Sequence, residues 1–285
     1  MDNSKLIELN RVSHDRIATN YRQRHPEIYN PIEQRRLRET LVYAVSRVSS
    51  DQKNNHSINV LDYGAGTGNV TRHLLDMGLE VTAADISFHS LELLKKEVNS
   101  EKNLKTVTVD GISLSNFADN SFDLVVTYSV LHHVPDYLKI IQEFCRIVRK
   151  GGLIVIDHEV CPAYWQTSST YREYRKAIRE KRSYWNLIRK NLGKIISYYH
   201  WKRWFKSRVL RQRVISEEGD IHVYPNDHIE WSSIKKIMDN SCNLVKEIDY
   251  LVCREVSEVP YYWNIYKENC VDMRCLIMQK YSKQE

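Results

Sequence analysis

Glycine and proline are both scarce in this chain, with 9 and 6 copies among 285 residues. Such low contents argue against collagen-like or low-complexity structure, which depends on one or both of these residues. No apolar run reaches the roughly 18 residues that a membrane-spanning helix needs. Hydrophobic residues at 42% and charged residues at 27% are typical of globular proteins. We therefore expect one large folded domain or two small ones.

Cysteine is also infrequent, and no two cysteines have the CxxC spacing of a zinc or redox motif. The six copies are Cys145, Cys161, Cys242, Cys253, Cys270 and Cys275. Their spacing favours reduced thiols over disulfides or zinc ligands, so no metal site is predicted. The first sixteen residues lack the apolar core of a secretory signal. These features predict a cytoplasmic protein.

The order of predicted elements indicates an α/β protein. Two helical patterns occupy the first fifty residues, separated by Pro26 and Pro31. Short apolar runs then predict strands at 58–61, 81–84, 104–109, 122–128 and 153–156. Helices are predicted between them at 69–76, 87–99 and 135–148. This alternation predicts a parallel sheet with ligands at the carboxyl ends of its strands.

The alternation breaks between about residues 161 and 219 and then resumes. A helix is predicted over 228–238, opened by Asp227 and Glu230 in capping-box spacing. Strands are predicted at 244–252 and 273–278. We therefore predict N-terminal cap helices at 1–50, an α/β core from 51–160 and 220–285, and an inserted segment at 161–219.

A glycine-rich loop follows the first predicted strand in the sequence VLDYGAGTGN, residues 60–69. It holds three of the nine glycines, whose missing Cβ lets the backbone turn sharply and approach a ligand. A dinucleotide site prefers GxGxxG, whereas the spacing here is GxGxG with Asp62 before it. The Asp62 carboxylate would repel a pyrophosphate but suits an ammonium group, such as that of S-adenosylmethionine.

Two more acidic residues end successive strands of the predicted sheet. Asp85 ends the second strand, a position from which a carboxylate can accept bonds from both ribose hydroxyls. Asp110 ends the third, where it could accept a bond from an adenine amino group while Gly111 lets the backbone approach the ring. Three acidic strand ends predict a site for a cationic nucleoside.

Four segments together resemble the class I S-adenosylmethionine-dependent methyltransferases, in the subgroup of quinone-biosynthesis and other small-molecule enzymes. They are VLDYGAGTGN, VTAADIS at 81–87, VDG with NSFDLVVTYSVLHHVPD at 109–136, and IVRKGGLIVID at 147–157. The resemblance implies a Rossmann-like, seven-stranded, mostly parallel sheet with helices on both faces, N-terminal capping helices and an inserted helical lid. HDRIATNY, residues 14–21, resembles the helix that caps the cofactor.

The resemblance also implies which residues meet S-adenosylmethionine. Gly64 and Gly66 would contact its methionine part, Asp85 the ribose and Asp110 the adenine, while Ser129 would flank the sulfonium. The full predicted cofactor set is Asp62, Gly64, Ala65, Gly66, Asp85, Ile86, Asp110, Gly111 and Ser129. Tyr63 and Ser115 depart from the usual family pattern, but neither occupies a predicted polar contact.

Histidines after the fourth strand are the first catalytic candidates. His132 and His133 would stand beside the transferable methyl, and imidazole titrates near neutral pH. One of them could act as base or orient the substrate, whereas the alternative for each is core packing or helix capping. Asp157, with His158 and Glu159, ends the fifth strand and could also face the substrate, the alternative being a bond to a neighbouring loop.

The net charge of +6 is very unevenly distributed. Residues 172–213 carry +13, with 15 basic and 2 acidic residues, whereas the remainder carries −7. One helical face is predicted from Trp185, Ile188, Leu192, Ile195, Ile196 and Tyr199. This segment could be a lid over the acceptor. It could instead contact an anionic membrane surface, steer an anionic small molecule or stack on RNA.

Taken together, these patterns predict S-adenosylmethionine-dependent methyl transfer to a small-molecule acceptor, at oxygen or carbon, in biosynthetic metabolism. The acceptor would be anionic or lipid-linked, with peripheral membrane contact through 172–213. Nucleic acid is not the expected partner, because no recognised RNA module accompanies the segment. The alternatives are an RNA methyltransferase, a non-catalytic cofactor-binding protein, and a dehydrogenase that Asp62 and the glycine spacing disfavour.

Overall fold

A seven-stranded sheet forms the centre of the computed structural model, which describes residues 2–50, 57–98, 101–181 and 219–282. In space the strands follow the order β3-β2-β1-β4-β5-β9-β8. Their bounds are β1 Asn59–Tyr63, β2 Glu80–Asp85, β3 Leu104–Thr108, β4 Phe122–Tyr128, β5 Val148–Val160, β8 Cys242–Tyr250 and β9 Met273–Lys280. A separate hairpin pairs β6, Val223–Tyr224, with β7, Asp227–His228.

Strand direction follows the sequence pattern. β1 to β5 are mutually parallel, whereas β9 runs antiparallel to both β5 and β8. The strand order reverses between β1 and β4, so the carboxyl ends of these two strands form the switch point at which α/β sheets bind ligands. The Rossmann-like sheet predicted from the sequence is thereby confirmed.

Helices surround the sheet and extend before it. Those before the sheet are α1 Asn3–Ile17, α2 Tyr21–Arg24, α3 Pro26–Tyr29 and α4 Pro31–Ser50. Those within or after it are α5 Asn69–Asp76, α6 Phe88–Glu97, α7 Tyr137–Ile147, α8 Pro162–Gln166, α9 Ser169–Lys181, α10 Trp231–Met238 and α11 Tyr261–Tyr266. No helix in these described ranges is long and apolar enough to cross a membrane.

Alternating side chains of the strands fill two cores. On one face, Leu61, Val125 and Ile154 pack with residues of α7 and α10. On the other, Leu124 and Val155 pack with residues of α4 and α5. This alternation follows from the two-residue repeat of a strand, and every β4 position is buried because both faces of the sheet are covered.

Two sequence predictions differ from the structure. The predicted capping box before α10 was wrong, because the Asp227 carboxylate bonds to His222 Nδ1 at 2.5 Å and Glu230 is the N-cap residue without a side-chain capping bond. β5 begins at Val148 rather than residue 153, since its first residues continue directly from α7. The predicted amphipathic helix over 185–199 lies outside the described residues, and the domain boundaries remain predictions.

Candidate active site

A cleft of about 920 Å³ lies between α1 and the carboxyl ends of β1, β2 and β4. The sheet side of the cleft is lined by Tyr63, Gly64, Ala65, Gly66, Thr67, Asn69, Asp85, Ile86, Gly111, Ser129 and Val130. Its cap side is lined by Ile7, Asn10, His14, Ala18, Tyr21 and Tyr29.

The glycine loop turns closely at the end of β1. The backbone amides of Gly64 and Ala65 both donate to Ala84 O, at 2.8 and 3.1 Å. Gly64 has φ +74°, and an added Cβ would lie 2.3 Å from Val130 Cγ2. Gly66 has φ +52°, and a Cβ there would meet no atom within 4 Å. The missing Cβ of Gly64 thus lets Val130 pack closely against the loop, whereas the space beside Gly66 stays open.

Asp85 lies at the edge of the cleft, held by two backbone amides. Gly66 N donates to its Oδ2 at 2.8 Å and Ser87 N donates to its Oδ1 at 2.7 Å. Burial raises the pKa of this carboxyl, against the effect of those two bonds. Each carboxylate oxygen can accept more than one bond, so a ligand hydroxyl can still be received here.

Asp62 lies below the cleft and does not line it. The side chain is 1% exposed, and Thr71 Oγ1 donates to its Oδ2 at 2.5 Å. Burial, together with the nearby Asp85 carboxylate, raises the pKa of this carboxyl to about 7. A cation brought close to Asp62 would favour its ionised form.

Asp110 and Gly111 differ in their relation to the cleft. Asp110 is exposed, and its Oδ1 accepts the amides of Ile112 and Ser113 at 2.8 and 2.9 Å. Gly111, with φ +72°, lines the cleft directly. The structure therefore brings Gly111 but not the Asp110 side chain to the cleft wall, and the proposed adenine contact of Asp110 stays a prediction.

A second cavity of about 1,400 Å³ adjoins the first and is termed the histidine cavity. The two share Ser129 and His133 from the end of β4, and His14, Tyr21 and Ile28 from the N-terminal helices. Ser129 has φ +59°, a left-handed conformation that is strained for a residue other than glycine. The remaining polar residues of the cavity are Gln23, Arg24, His25, Glu27, His132, His158, Arg175, Asp220 and Arg254.

His132 is oriented by a buried carboxylate from β5. Its Nδ1 lies 2.9 Å from Glu159 Oε2, and Glu159 is 1% exposed. Glu159 Oε1 also accepts the amides of Val130 and Leu131, at 2.8 and 2.7 Å. One carboxylate therefore fixes both the turn after β4 and the imidazole ring, leaving Nε2 as the nitrogen that faces away from Glu159.

His133 is more deeply enclosed. Burial lowers the pKa of its ring well below the usual range, as do the imidazoles of His132 and His14. Its ring lies edge-on to His14 at 4.9 Å, and its carbonyl accepts a bond from Asn10 Nδ2 at 2.9 Å. His133 therefore helps to fix α1 over the cleft.

Asp157 lines neither cavity, contrary to its predicted catalytic role. It is fully buried, and Arg36 Nη1 donates to its two carboxylate oxygens at 3.2 and 2.9 Å. Tyr250 donates to Oδ1 at 3.0 Å. These bonds connect α4, β5 and β8, so we assign Asp157 a structural role. Its neighbour His158 does line the histidine cavity, with Nδ1 3.0 Å from the Tyr128 hydroxyl.

Comparison with known proteins agrees with this geometry. Residues 61–156 match the family model described as a methyltransferase domain. Two similar proteins are the demethylmenaquinone methyltransferases of Staphylococcus aureus strains MRSA252 and JH9. The first is 34% identical over 134 residues, 45% of this chain and 55% of that protein. The second is 30% identical over 184 residues, 62% of this chain and 73% of that protein. The chain belongs to the class I S-adenosylmethionine-dependent methyltransferases.

A solved structure has the same fold as this methyltransferase. It is an S-adenosylmethionine-dependent methyltransferase from Mesorhizobium loti, 12% identical, with a TM-score of 0.53. The match covers 82% of this chain and 96% of the other. The alignment to the first curated relative spans only about half of that protein's length, 55%.

The cofactor of this methyltransferase is S-adenosylmethionine, and the cleft has features that fit it. Open space lies beside Gly66, and Asp85 borders the cleft. Asp62 is a buried carboxylate with a raised pKa, which a nearby ligand ammonium would lower. Ala65 and Ile86 also line the cleft. The individual contacts of these residues with the cofactor stay predictions.

Some lining residues of this methyltransferase could not be recognised in the sequence. The predicted cap, residues 14–21, does supply His14, Ala18 and Tyr21 to the cleft. Arg175, within the inserted segment, and Asp220, directly after it, both line the histidine cavity, and no sequence motif marks either of them. The role of Glu159 was visible only as a polar strand end, because its bond to His132 joins residues 27 positions apart.

Proposed function

We propose that this methyltransferase transfers a methyl group to an oxygen or carbon of a small biosynthetic acceptor that binds in the histidine cavity. The observation that carries the proposal is the meeting of the two cavities at Ser129 and His133. A cofactor in the first cleft and an acceptor in the second would be in contact at this point. The protein then contributes alignment and exclusion of water, while the sulfonium supplies the reactivity.

His132 is the proposed proton acceptor. With Nδ1 bound to Glu159, the imidazole is held in one orientation. Its Nε2, which lies 3.7 Å from Asp220 Oδ1, is the nitrogen that we propose accepts the proton of an acceptor O–H or C–H. A base placed in this way contributes typically 10² to 10⁴-fold in rate. His133, whose predicted role was also catalytic, is proposed instead to position α1, because Asn10 of that helix donates to its carbonyl.

The arginine side chains of the histidine cavity, which also contains Glu27 and Asp220, support an anionic acceptor. Arg24, Arg175 and Arg254 all line it. Arg254 is bound to Asp272 at 2.5 Å. Among the described residues, no carboxylate forms an ion pair with Arg24 or Arg175. Two such guanidinium groups at a cavity wall are suited to a carboxylate or phosphate on the acceptor.

Matched acceptors test this proposal. Transfer from methyl-labelled S-adenosylmethionine would be measured with hydroxylated acceptors that differ only in one carboxylate, beginning with catechol and 3,4-dihydroxybenzoate. We expect the carboxylated member to have the lower KM, and Arg175→Gln to remove that preference. Cofactor binding without transfer to any acceptor would favour the non-catalytic alternative.

Substitution of His132 tests the proton transfer. His132→Ala is expected to lower kcat by about 10² to 10⁴-fold, with little change in affinity for S-adenosylhomocysteine. Glu159→Gln keeps an oxygen for the backbone amides but loses the carboxylate, so it should lower kcat less. The exposed His89→Ala is the matched control. An unchanged kcat for His132→Ala would exclude it as the base.

A lipid-linked acceptor is the second candidate, favoured by an exposed apolar patch. Val256, Val259, Tyr261 and Ile265 are 73%, 75%, 64% and 49% exposed. The patch follows Val252 and Arg254, which line the histidine cavity. The curated relatives are named for demethylmenaquinone, which supports a quinol acceptor for this chain. In this proposal the enzyme works as a cytoplasmic protein bound peripherally to an anionic membrane surface.

The exposed patch is rigidly supported from behind. Trp263 N donates to Glu255 Oε2 at 2.8 Å and Trp263 Nε1 donates to Leu251 O at 2.7 Å. Tyr174 of α9 packs against Tyr266 of α11. α9 also carries exposed basic residues, namely Arg172, Arg175, Lys176 and Arg179. Apolar residues beside a basic helix suit an anionic lipid surface. The remainder of residues 172–213, from 182 onward, lies outside the described residues. The aromatic residues on which the RNA alternative was mainly based belong to that part.

A further inference from the structure

Three potential metal ligands converge on the wall of the histidine cavity. The ligand atoms of His132, His133 and Asp220 all lie within 4.8 Å of one another. His132 Nε2 is 3.7 Å from Asp220 Oδ1, and His133 Nδ1 is 3.4 Å from the same oxygen. Asp220 follows His133 by 87 positions, so the sequence spacing gave no indication of this cluster.

The spacing of these atoms is close to that of ligands around a metal ion. With metal–ligand distances of about 2.0 to 2.2 Å, two ligands of a tetrahedral site lie about 3.4 Å apart. Asp220 is held near the rings because the next two amides, of Ile221 and His222, donate to His132 O at 2.9 and 3.0 Å. Small side-chain movements would therefore complete the coordination geometry.

Two further observations point to a cation. His132 Nδ1 bonds to the buried Glu159 carboxylate, the arrangement that commonly orients a metal-ligating imidazole through its other nitrogen. His133 Nδ1 is a buried nitrogen without a hydrogen-bond partner among the described residues. A lone pair in this position gains a partner when a metal ion binds.

We propose that His132, His133 and Asp220 bind a divalent transition-metal ion, of the kind that prefers imidazole nitrogen, such as Zn²⁺ or Co²⁺. Two imidazoles and one carboxylate leave coordination positions open toward the histidine cavity. The cation uses the Nε2 lone pair that would otherwise take the acceptor proton. Metal binding and proton transfer to His132 therefore exclude each other, and the metal inhibits turnover. The inhibition, unlike the binding, rests on the proposed function of His132.

Cobalt provides a direct probe of binding. Co²⁺ would be titrated into the full chain with S-adenosylhomocysteine bound, and its visible ligand-field absorption recorded. We expect one bound ion, and a loss of affinity of at least about 100-fold for Asp220→Asn and for His133→Gln, because each variant removes a ligand. His89→Gln should bind as the unchanged chain does. Absence of the absorption, or equal binding by all variants, would overturn the site.

Turnover separates the site from the proposed function. Zn²⁺ should inhibit methyl transfer by the unchanged chain, and a chelator should reverse the inhibition. For Asp220→Asn, the Zn²⁺ concentration that halves the rate, measured against the rate of the same variant without metal, should be at least about 100-fold higher. Co²⁺ binding with no inhibition by Zn²⁺ would keep the site but contradict proton transfer to His132.

Discussion

Asp62 and Asp85 are buried carboxylates at the ends of neighbouring parallel strands, but their bonding partners differ. Asp85 accepts two backbone amides, which stabilise its charge. Asp62 accepts the Thr71 hydroxyl, and burial raises its pKa to about 7. The charge of Asp62 is therefore the one that a cationic ligand can most affect.

Cofactor affinity should depend on pH through Asp62. A ligand ammonium near this carboxylate favours its ionised form. The affinity for the cofactor is therefore highest above about pH 7 and falls as the pH decreases below that value. The decrease should approach tenfold per pH unit. Titration calorimetry with S-adenosylhomocysteine would measure this dependence from about pH 5.5 to about pH 8, a range that extends roughly one unit to either side of the pKa of Asp62.

The matched variant for that experiment is Asp62→Asn, which removes the ionisable group and keeps the bond-accepting oxygen. It should bind more weakly at pH 8 and show a flat profile. A profile in the variant as steep as in the unchanged chain would show that another group is responsible.

Single residues were predictable where the fold alone determines their place. Asp85, Ser129, Gly64 and Gly66 line the cleft because the carboxyl ends of adjacent parallel strands must meet. Asp110 also ends a strand, but its carboxylate accepts the amides of its own loop. Asp157 meets Arg36, 121 positions away, and no local pattern encodes such a partner.

At the scale of elements, Arg36 joins the helix α4 to the sheet. It bonds to Asp157 of β5 and to Glu33, and its guanidinium lies 3.9 Å from the centre of the Tyr250 ring of β8. Glu33 in turn accepts the amide of Cys253 at 2.7 Å. This buried network fixes α4, β5 and β8 as one unit.

Breaking that network should destabilise the protein. Asp157→Asn leaves a buried guanidinium without its main counter-charge, which costs about 3 kcal/mol of unfolding free energy, since Glu33 remains as a partner. Urea unfolding of the chain without ligand would measure the loss. The exposed pair of Arg146 and Asp119 is the control, and Asp119→Asn should cost less than about 1 kcal/mol. Equal losses would contradict a buried role for Asp157.

The existence and position of elements with a clear hydrophobic period were predicted more accurately than the residues at which helices begin and end. The sequence pattern places β4 at the observed residues, because it is apolar on both faces. The residue at the start of α10 depends on where the Asp227 side chain bonds, and it bonds to His222 instead of the helix. The residue at which a helix begins depends on which hydrogen-bond partner a nearby side chain takes. The spacing of apolar residues gives no information about that choice.

At the scale of the whole molecule, charge and apolar exposure coincide near the histidine cavity. The patch of Val256, Val259, Tyr261 and Ile265 lies beside the basic helix α9, which packs against α11. A surface of this kind binds lipid by inserting apolar side chains and by attracting anionic headgroups.

Vesicle binding should therefore depend on both lipid charge and the apolar patch. We expect the chain to sediment with phosphatidylglycerol vesicles and much less with phosphatidylcholine vesicles. Val256→Asp combined with Val259→Asp should lower binding at least about 10-fold, because two inserted side chains are lost. Leu244→Asp, on the edge strand β8 and 54% exposed, is the matched control. Binding that ignores lipid charge, or that the valine variant retains, would contradict this surface.

The position of β9 has a consequence for biosynthesis. This strand, Met273–Lys280, lies between β5 and β8, although β5 ends at Val160. On the ribosome, β5 is therefore complete long before its antiparallel neighbour exists. At about 5 to 20 residues per second, the interval is on the order of 5 to 20 s. During that time the apolar edge at Ile154 and Ile156 is open to wrong pairing, so the nascent chain is expected to need a chaperone more than the finished protein does.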